Sequence, residues 1–442
     1  MSASEPSSQS GKTLIVIIGA GLSYLAATCA LGYTQAPLGS SRFFALAAVA
    51  AVGYAVVIFR VWNSPPAPQR AFLLALGLAV LFRVPLALAP VHNDNDMIRY
   101  LWDGRIQTLG FNPYSVVPAD PKLQWTHTDE TRDMPSARHR TPYPPAAQMF
   151  FRLVVGMHDS SRAMKLAIAA CDLLTIVVLW RWLVITRRSP WLALGYAWNP
   201  LVVFESAHSG HIDVLGTLWI AAAVYWLSRR RTALATVAFV LAVTTKLVPV
   251  VLAPLLLGRI TRRDALLGAA LLVILYLPFV SAPQSALGGV NTVVESVRFN
   301  GPIFRAIRTA TNPLLGAATA VMVGLLAAAW CRWKLDANDP AAWAWPMAAA
   351  LACAPVVYPW YLLAFTPFLL TRATTPLIVW TLSVIPVYVV WDYARLGGAW
   401  LVPWPLVVLE YGIVLLTAAL LLWSGRWRRW RHTSLVASRS TG

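Results

Sequence analysis

The chain has 442 residues, 58% of them hydrophobic and only 12% charged, with a mean hydropathy of +0.60, which excludes an ordinary soluble domain. Its formal charge is +18, but the basic residues scatter at the ends of apolar runs instead of gathering on one surface, which argues against a nucleic-acid partner. What remains is an integral membrane protein: an all-α polytopic helix bundle forming one unit over 13–425, with 1–12 expected as a disordered cytoplasmic N-terminus and 426–442 as a basic cytoplasmic tail.

The first apolar run, 13–33, follows Lys12 and is long for the apolar core of a signal sequence, so it reads as a retained helix. Cys29, Cys171, Cys331 and Cys353 all fall inside apolar runs without metal spacing and read as small core residues. Basic breaks at 60–70 and at Arg187, Arg229, Arg259 and Arg332, together with the tail, mark the cytoplasmic side by the positive-inside rule. Breaks near 34–42, 91–160, 206–213, 282–312 and 393–402 then face outward.

Two places resist simple alternation. The clusters "RRR" at 229–231 and "RITRR" at 259–263 both want the cytoplasm, yet a single crossing between them would strand one of them outside. A pair of short helices turning at "TTKLVP", with Lys246 at the tip and Pro249 opening the return leg, resolves the conflict. The same logic applies at "VVYPWYL", where Tyr358, Pro359, Trp360 and Tyr361 separate the apolar pieces 346–357 and 362–370. With both hairpins the count is about 11 to 14 hydrophobic segments, and half-length helices beside a polar site point to function.

The outward stretch 91–145 is polar and rich in Pro, Asp, Arg, Tyr and Trp, and its interleaved aromatics favour an ordered loop. Within "HNDNDMIRYLWDGR", Asp96, Arg99, Tyr100 and Asp103 recur at helical spacing. They predict an amphipathic helix on the membrane surface, with Asp94 as a cap and Trp102 anchoring the opposite face. A capped interfacial helix with an internal Asp/Arg pair is the plain alternative. Downstream, "ESAHSGHID" sets His208, His211 and Asp213 at the mouth of two helices, a weak metal pattern. Lys246 in an apolar setting is costly unless functional, the alternative being a side chain that snorkels to a headgroup. "ESVRFNGPIFRAIR" adds Glu295, Arg298, Asn300, Arg305 and Arg308.

These groups together suit an anionic ligand, an acid/base carboxylate and a sugar stacked on aromatics. A lipid-linked sugar phosphate meets those demands. The ordered series "NDNDMIRYLWDGRIQTLGFNPY", "TPYPPAAQ", "HSGHID", "TTKLVPVVLAPLL" and "VVYPWYLLAFTPFL" resembles the GT-C glycosyltransferases over 93–370. Within that class it is most similar to the bacterial polyprenol-phosphate-mannose-dependent mannosyltransferases, with an echo of the GPI mannosyltransferase I family.

The resemblance implies transfer of a sugar, mannose first, from a polyprenyl phosphate to an acceptor hydroxyl on a glycan, glycolipid or protein, with inversion. Asp94 would be the general base and Asp96 would orient it or the hydroxyl, a contribution on the order of 10² to 10⁴ in rate. Lys246, with Arg298 or Arg99, would stabilise the departing phosphate. Tyr100, Trp102, Asp103, Arg105, Asn112, Tyr114, Tyr143, His208, His211, Asp213, Asn300, Tyr358, Trp360 and Tyr361 are the expected substrate contacts. No cofactor is required, although a Mg or Mn ion could bridge Asp94 and Asp96. The expected location is the bacterial inner membrane with its lipids around it and the site facing the periplasm. A transporter or flippase of a lipid-linked saccharide is the second reading; it would use the within-helix charge Arg83.

Overall fold

The computed structural model describes residues 5–63, 69–91, 96–134, 136–280, 289, 295 and 297–424. Among the described residues it is helical, and the one extended pairing is a parallel bridge between Phe299 and Val356. In chain order the main helices are α1 (Glu5–Thr34), α2 (Ser41–Asn63), α3 (Gln69–Leu88), α4 (Asp96–Thr108), α5 (Pro145–Met157) and α6 (Ser161–Ile185). They continue with α7 (Asp213–Ser228), α8 (Thr232–Thr245), α9 (Arg262–Tyr276), α10 (Pro302–Ala310), α11 (Pro313–Lys334) and α12 (Pro340–Ala352). The last two are α13, an interrupted helical segment over Arg372–Arg395, and α14 (Trp404–Trp423).

Seven of these, α1, α2, α3, α6, α11, α13 and α14, are long and apolar enough to cross a membrane, and α7 and α8 are shorter apolar helices. The protein is therefore an all-α membrane bundle. Lipid offers no partner to a bare N–H or C=O, so each spanning run closes its backbone bonds within itself. Polar side chains fix several ends: Ser160 accepts from the Ala163 amide at the start of α6, and Asn312 accepts from Leu315 at the start of α11. Thr261 and Asp264 form a reciprocal capping box on α9. α1 begins at Glu5 instead of near Thr13, so helix already runs through part of the stretch expected to be disordered. Cys29 is exposed on the outside of the bundle, unlike the three buried cysteines. The tail 426–442 and residues 92–95, which include Asp94, lie outside the described residues.

Both expected breaks are present. α8 ends at Lys246, which adopts an extended backbone, and a 3-10 turn over Val248–Leu252 with Pro249 in its first turn begins the return. After α12 the chain runs extended to Tyr358 and then enters a ten-residue 3-10 helix, Pro359–Phe368. Such a long 3-10 stretch is uncommon and marks a constrained segment.

The loop between α3 and α6 is ordered around a small core of its own, formed by Ile98, Trp102, Ile106, Leu123 and Met134. α4 is present where the helical spacing puts it, but it is not an interfacial helix: every residue from Met97 to Gln107 is buried. Its polar residues face the folded loop and α5 instead of water. Gly104 lets α5 approach, since a Cβ there would lie 2.6 Å from the Phe151 carbonyl oxygen.

Candidate active site

α4 brings its first residue, the half-buried Asp96, to the inner end of the loop. The carboxylate there lies within electrostatic reach of Tyr100, Tyr143, His211, Tyr358 and Tyr361. Residues from four separate stretches of sequence thus converge on Asp96.

The first convergent stretch is a run of short helical turns, fully buried, that ends in a π-turn over Phe204–His208. π-turns widen a helix and often accompany functional sites. Here the turn delivers Glu205, whose carboxylate accepts the Nδ1–H of His211 in a short contact. Gly210 between them has φ +69, and a Cβ there would sit 2.0 Å from the Met97 Cε. The Met97 methyl could move aside, so it is the left-handed φ that calls for glycine where the loop passes under the start of α4.

His211 stacks on Trp360, ring centroids 4.0 Å apart, and Trp360 stacks on Tyr358 at 4.5 Å. Three near-parallel rings, supplied by the His211 loop and the 3-10 segment, stack face to face into one platform, with both faces of Trp360 covered by its neighbours. Beside it, Lys246 Nζ bonds Asp213 at 3.0 Å and lies 4.2 Å above the Tyr361 ring. The ammonium is thus held by one carboxylate and one aromatic face, with 19% of its side chain exposed. An ammonium so held can exchange a protein carboxylate for an incoming phosphate.

Burial alone would lower the affinity of His211 for its proton, but the adjoining Glu205 carboxylate, aided by Asp96 and Asp213, raises it above the ordinary 6.5. Glu205 is itself raised, chiefly by burial, with His211 opposing the rise. The pair therefore keeps a proton between them.

Other expected contacts serve the loop. Arg99 bonds Asp103 at 2.7 Å and the His139 carbonyl at 2.9 Å. Asp103 also accepts from Gln148 at 2.9 Å. Trp102 is fully buried, donating to Thr126 Oγ1 at 2.9 Å and stacking on His127. Arg105 grips Asp159 at 2.6 Å and the Thr126 carbonyl at 3.1 Å. Trp102, Asp103 and Arg105 are therefore scaffold, not open substrate contacts, because α4 is enclosed by protein on all sides. Asn112 donates to the Phe279 carbonyl at 3.0 Å, and Tyr114 donates to the Tyr143 carbonyl at 2.7 Å, tying the loop to the 3-10 turn after α9 and to itself.

Tyr100 and Tyr143 meet edge to face, and Tyr100 stacks on Phe151. His208 is buried in the last residue of the π-turn. Asn300 gives its amide to Glu410 at 2.9 Å, which engages it in the fold. Arg298 folds onto its own backbone, bonding the carbonyls of Val297 at 2.6 Å and Glu295 at 2.7 Å. Among the described residues no group of three or more His, Cys, Asp or Glu side chains is arranged to hold a metal.

Besides the helix-capping Asp264 and Asp339, three buried acids escaped the sequence reading: Glu205, Asp172 and Glu410. Asp172 pairs with Arg83 deep in the bundle and accepts from Ser206 at 2.7 Å. Arg83, the charge that suited a transport path, is closed by that pair and by the carbonyls of Ala79 and Ala197. Glu410 accepts from Asn300 and from Trp380 at 2.7 Å. Each is an acid within an apolar run, a signal that by itself marks a functional or paired group.

Residues 9–262 match the family model described as alpha-(1->6)-mannopyranosyltransferase, N-terminal domain. The match takes in Asp96, Glu205, His211, Asp213 and Lys246, whereas Tyr358, Trp360 and Tyr361 lie beyond it. Comparison with curated proteins and with solved structures gave no significant match. More than half of the chain carries the family's domain, and the converging polar site lies on that part together with the 3-10 segment: the chain belongs to the alpha-(1->6)-mannopyranosyltransferase family, membrane glycosyltransferases that transfer mannose.

Proposed function

We propose that the protein is a GT-C-type enzyme that moves mannose from a polyprenyl-phosphate donor to an acceptor hydroxyl, with inversion, on the extracytoplasmic face of a bacterial inner membrane. The observation that carries this reading is the meeting of Asp96, the Lys246–Asp213 pair and the His211–Trp360–Tyr358 platform in one place. A sugar ring packs against the side of such a stack, an anionic phosphate reaches the ammonium, and a carboxylate stands beside both. An apolar bundle around them accommodates a lipid tail.

In the reaction the acceptor oxygen forms a bond to C1 as the bond from C1 to the phosphate oxygen breaks. The electron pair leaves with the phosphate, where Lys246 balances the growing charge. The hydroxyl proton passes to a carboxylate, with Asp94 as the base and Asp96 orienting the hydroxyl. The transition state has oxocarbenium character, as in other glycosyl transfers. Phosphate leaves readily, so the chain needs no acid and no covalent intermediate. Arg99 is bound through Nε and Nη1 and Arg298 folds onto nearby carbonyls, so Lys246 is the main phosphate partner, with Arg99 Nη2, unpaired among the described residues, as a second donor.

Transfer from radiolabelled polyprenyl-phosphate-mannose in membranes expressing the wild type, Asp94→Asn or Asp96→Asn at matched levels tests the reading. Loss of transfer in Asp94→Asn supports the base assignment, and full activity in both variants removes it. A donor panel with glucose, arabinose and galactose tests the sugar. Activity unchanged by EDTA would remove a bridging divalent ion.

A further inference from the structure

α10 has no part in the site described above, yet its composition is pointed. On a helical wheel Ile303, Phe304 and Ile307 fall on one arc and Arg305, Arg308 and Thr309 on the other. Phe304 is buried against Gly316 of α11, and the Arg298 guanidinium lies 5.1 Å from its ring. Arg305 and Arg308 are exposed, and among the described residues neither guanidinium has an ion-pair or hydrogen-bond partner. Arg308 also lies close enough to Arg298 for the two charges to oppose each other. Glu295 is the single acid in the sequence between 281 and 310.

The depth of this helix follows from its neighbours. Leu314 and Leu315, immediately after it, are 75% and 50% exposed at the start of a spanning helix, so lipid chains begin there. α10 folds onto the first turns of α11 through Phe304 and Gly316, so Arg305 and Arg308, on its exposed side, stand near that boundary, where lipid phosphates lie. A cluster of like charges with no counterion among the described residues attracts an external anion. Guanidinium groups bind phosphate oxygens through paired N–H donors.

We propose that α10 is a docking surface for anionic phospholipid headgroups, with Arg305 and Arg308 holding the lipid phosphates. The surface is joined to the site's platform. Val357 donates its amide to the Phe299 carbonyl at 2.8 Å, and the Phe299 ring lies 4.3 Å from that of Tyr358. Lipid held by α10 thereby borders the segment that carries Tyr358 and Trp360. The proposal makes no use of the donor sugar or of the transfer reaction.

The test is a local one in the full-length protein. With Cys29→Ala removing the exposed native cysteine, Thr309→Cys carries an environment-sensitive fluorophore, and the protein is reconstituted in phosphatidylcholine vesicles containing phosphatidylglycerol. Acyl-chain spin-labelled phosphatidylglycerol should quench the fluorophore in preference to spin-labelled phosphatidylcholine, with a local enrichment on the order of tenfold. Arg305→Gln with Arg308→Gln should erase the preference while leaving quenching by phosphatidylcholine unchanged, which also shows that the helix still docks. Equal quenching by both lipids in the wild type overturns the proposal. So does a preference that survives the double substitution. Loss of the preference on adding inorganic phosphate, but not chloride at matched ionic strength, would support a grip on the lipid phosphate itself. Transferase activity is not read, so failure here is distinct from failure of the mannosyltransferase reading.

Discussion

The His211 imidazole lies face to face with the Trp360 indole, ring centroids 4.0 Å apart and planes within 9°. The two rings come from segments about 150 positions apart in sequence, and each is fixed from behind, His211 by Glu205 and Trp360 by the Tyr358 ring. A platform so braced is ready before any substrate arrives.

Replacing Trp360 by Ala should remove the centre of the stack. Aromatic pairs contribute about 0.5–1.5 kcal/mol each beyond simple burial; with the ring between them gone, His211 and Tyr358 lose their common brace, and kcat/KM for the sugar donor should fall roughly tenfold. Trp360→Phe should keep most of the activity, with the loss in KM. Steady-state kinetics in reconstituted membranes decide the matter: an unchanged KM in Trp360→Ala would place the sugar elsewhere.

The Glu205–His211 pair sets a pH dependence of stability. Glu205, raised above 4.5 mainly by burial, and His211, raised above 6.5 because the Glu205 carboxylate outweighs burial, both hold protons more tightly folded than unfolded. Stability falls as pH rises wherever the folded state binds more protons. The His211 contribution is complete below its unfolded value of 6.5 and is lost as the pH climbs through its higher folded value. Glu205 adds a decline that starts above 4.5. The melting temperature of detergent-solubilised protein should therefore drop with pH through neutrality, and more steeply than in the Glu205→Gln, His211→Gln double variant. Superimposable curves would show that the pair does not share its proton as described.

Lys246 tests the electrostatic part of the site. Deleting one preorganised charge partner of a developing anion typically costs on the order of 10² to 10³ in kcat, and Lys246→Ala should lose that much. Lys246→Arg should recover part of it. Asp213→Asn removes the counterion but keeps an amide oxygen and the Tyr361 face beside the ammonium, so it should weaken activity less than Lys246→Ala does. Similar small losses in all three variants would mean that the phosphate is bound by other groups.

Trp102 separates scaffold from substrate contact. Trp102→Phe keeps a ring in the loop core but deletes the bond to Thr126, a loss of about 1 kcal/mol and more if Thr126 is left unpaired. The expected result is a lower melting temperature with KM near the wild-type value. A raised KM at unchanged stability would return Trp102 to the substrate.

The legible parts of this molecule are those where local chemistry conflicts with a simple crossing. Charges at 229–231 and 259–263 forced a turn at Lys246, and the structure breaks the helix there. The i, i+3, i+4, i+7 spacing of Asp96, Arg99, Tyr100 and Asp103 located α4. The same spacing misjudged its surroundings, because polar residues on a helix look alike whether they face water or a folded loop. Glu205, Asp172 and Glu410 went unread for a related reason. A lone acid in an apolar run declares a partner without naming it, and the partner of Asp172 lies 89 positions away.

That distant pair carries the last prediction. Arg83 on α3 and Asp172 on α6 are almost completely buried, and Ser206 of the π-turn donates to the same carboxylate. The next residue back, Glu205, holds His211, so the pair braces the turn on which the platform rests. Asp172→Asn leaves a buried guanidinium without its counterion, which should destabilise the protein by about 3–5 kcal/mol. Arg83→Leu with Asp172→Leu removes both charges and should restore much of the stability, since an apolar replacement of a buried pair is often neutral or better. Activity separates bracing from mere folding. If the pair positions the turn, the thermally recovered double variant should still transfer mannose with a lowered kcat, because Ser206 has lost its acceptor. Full recovery of both stability and kcat would confine Arg83 and Asp172 to holding α3 against α6.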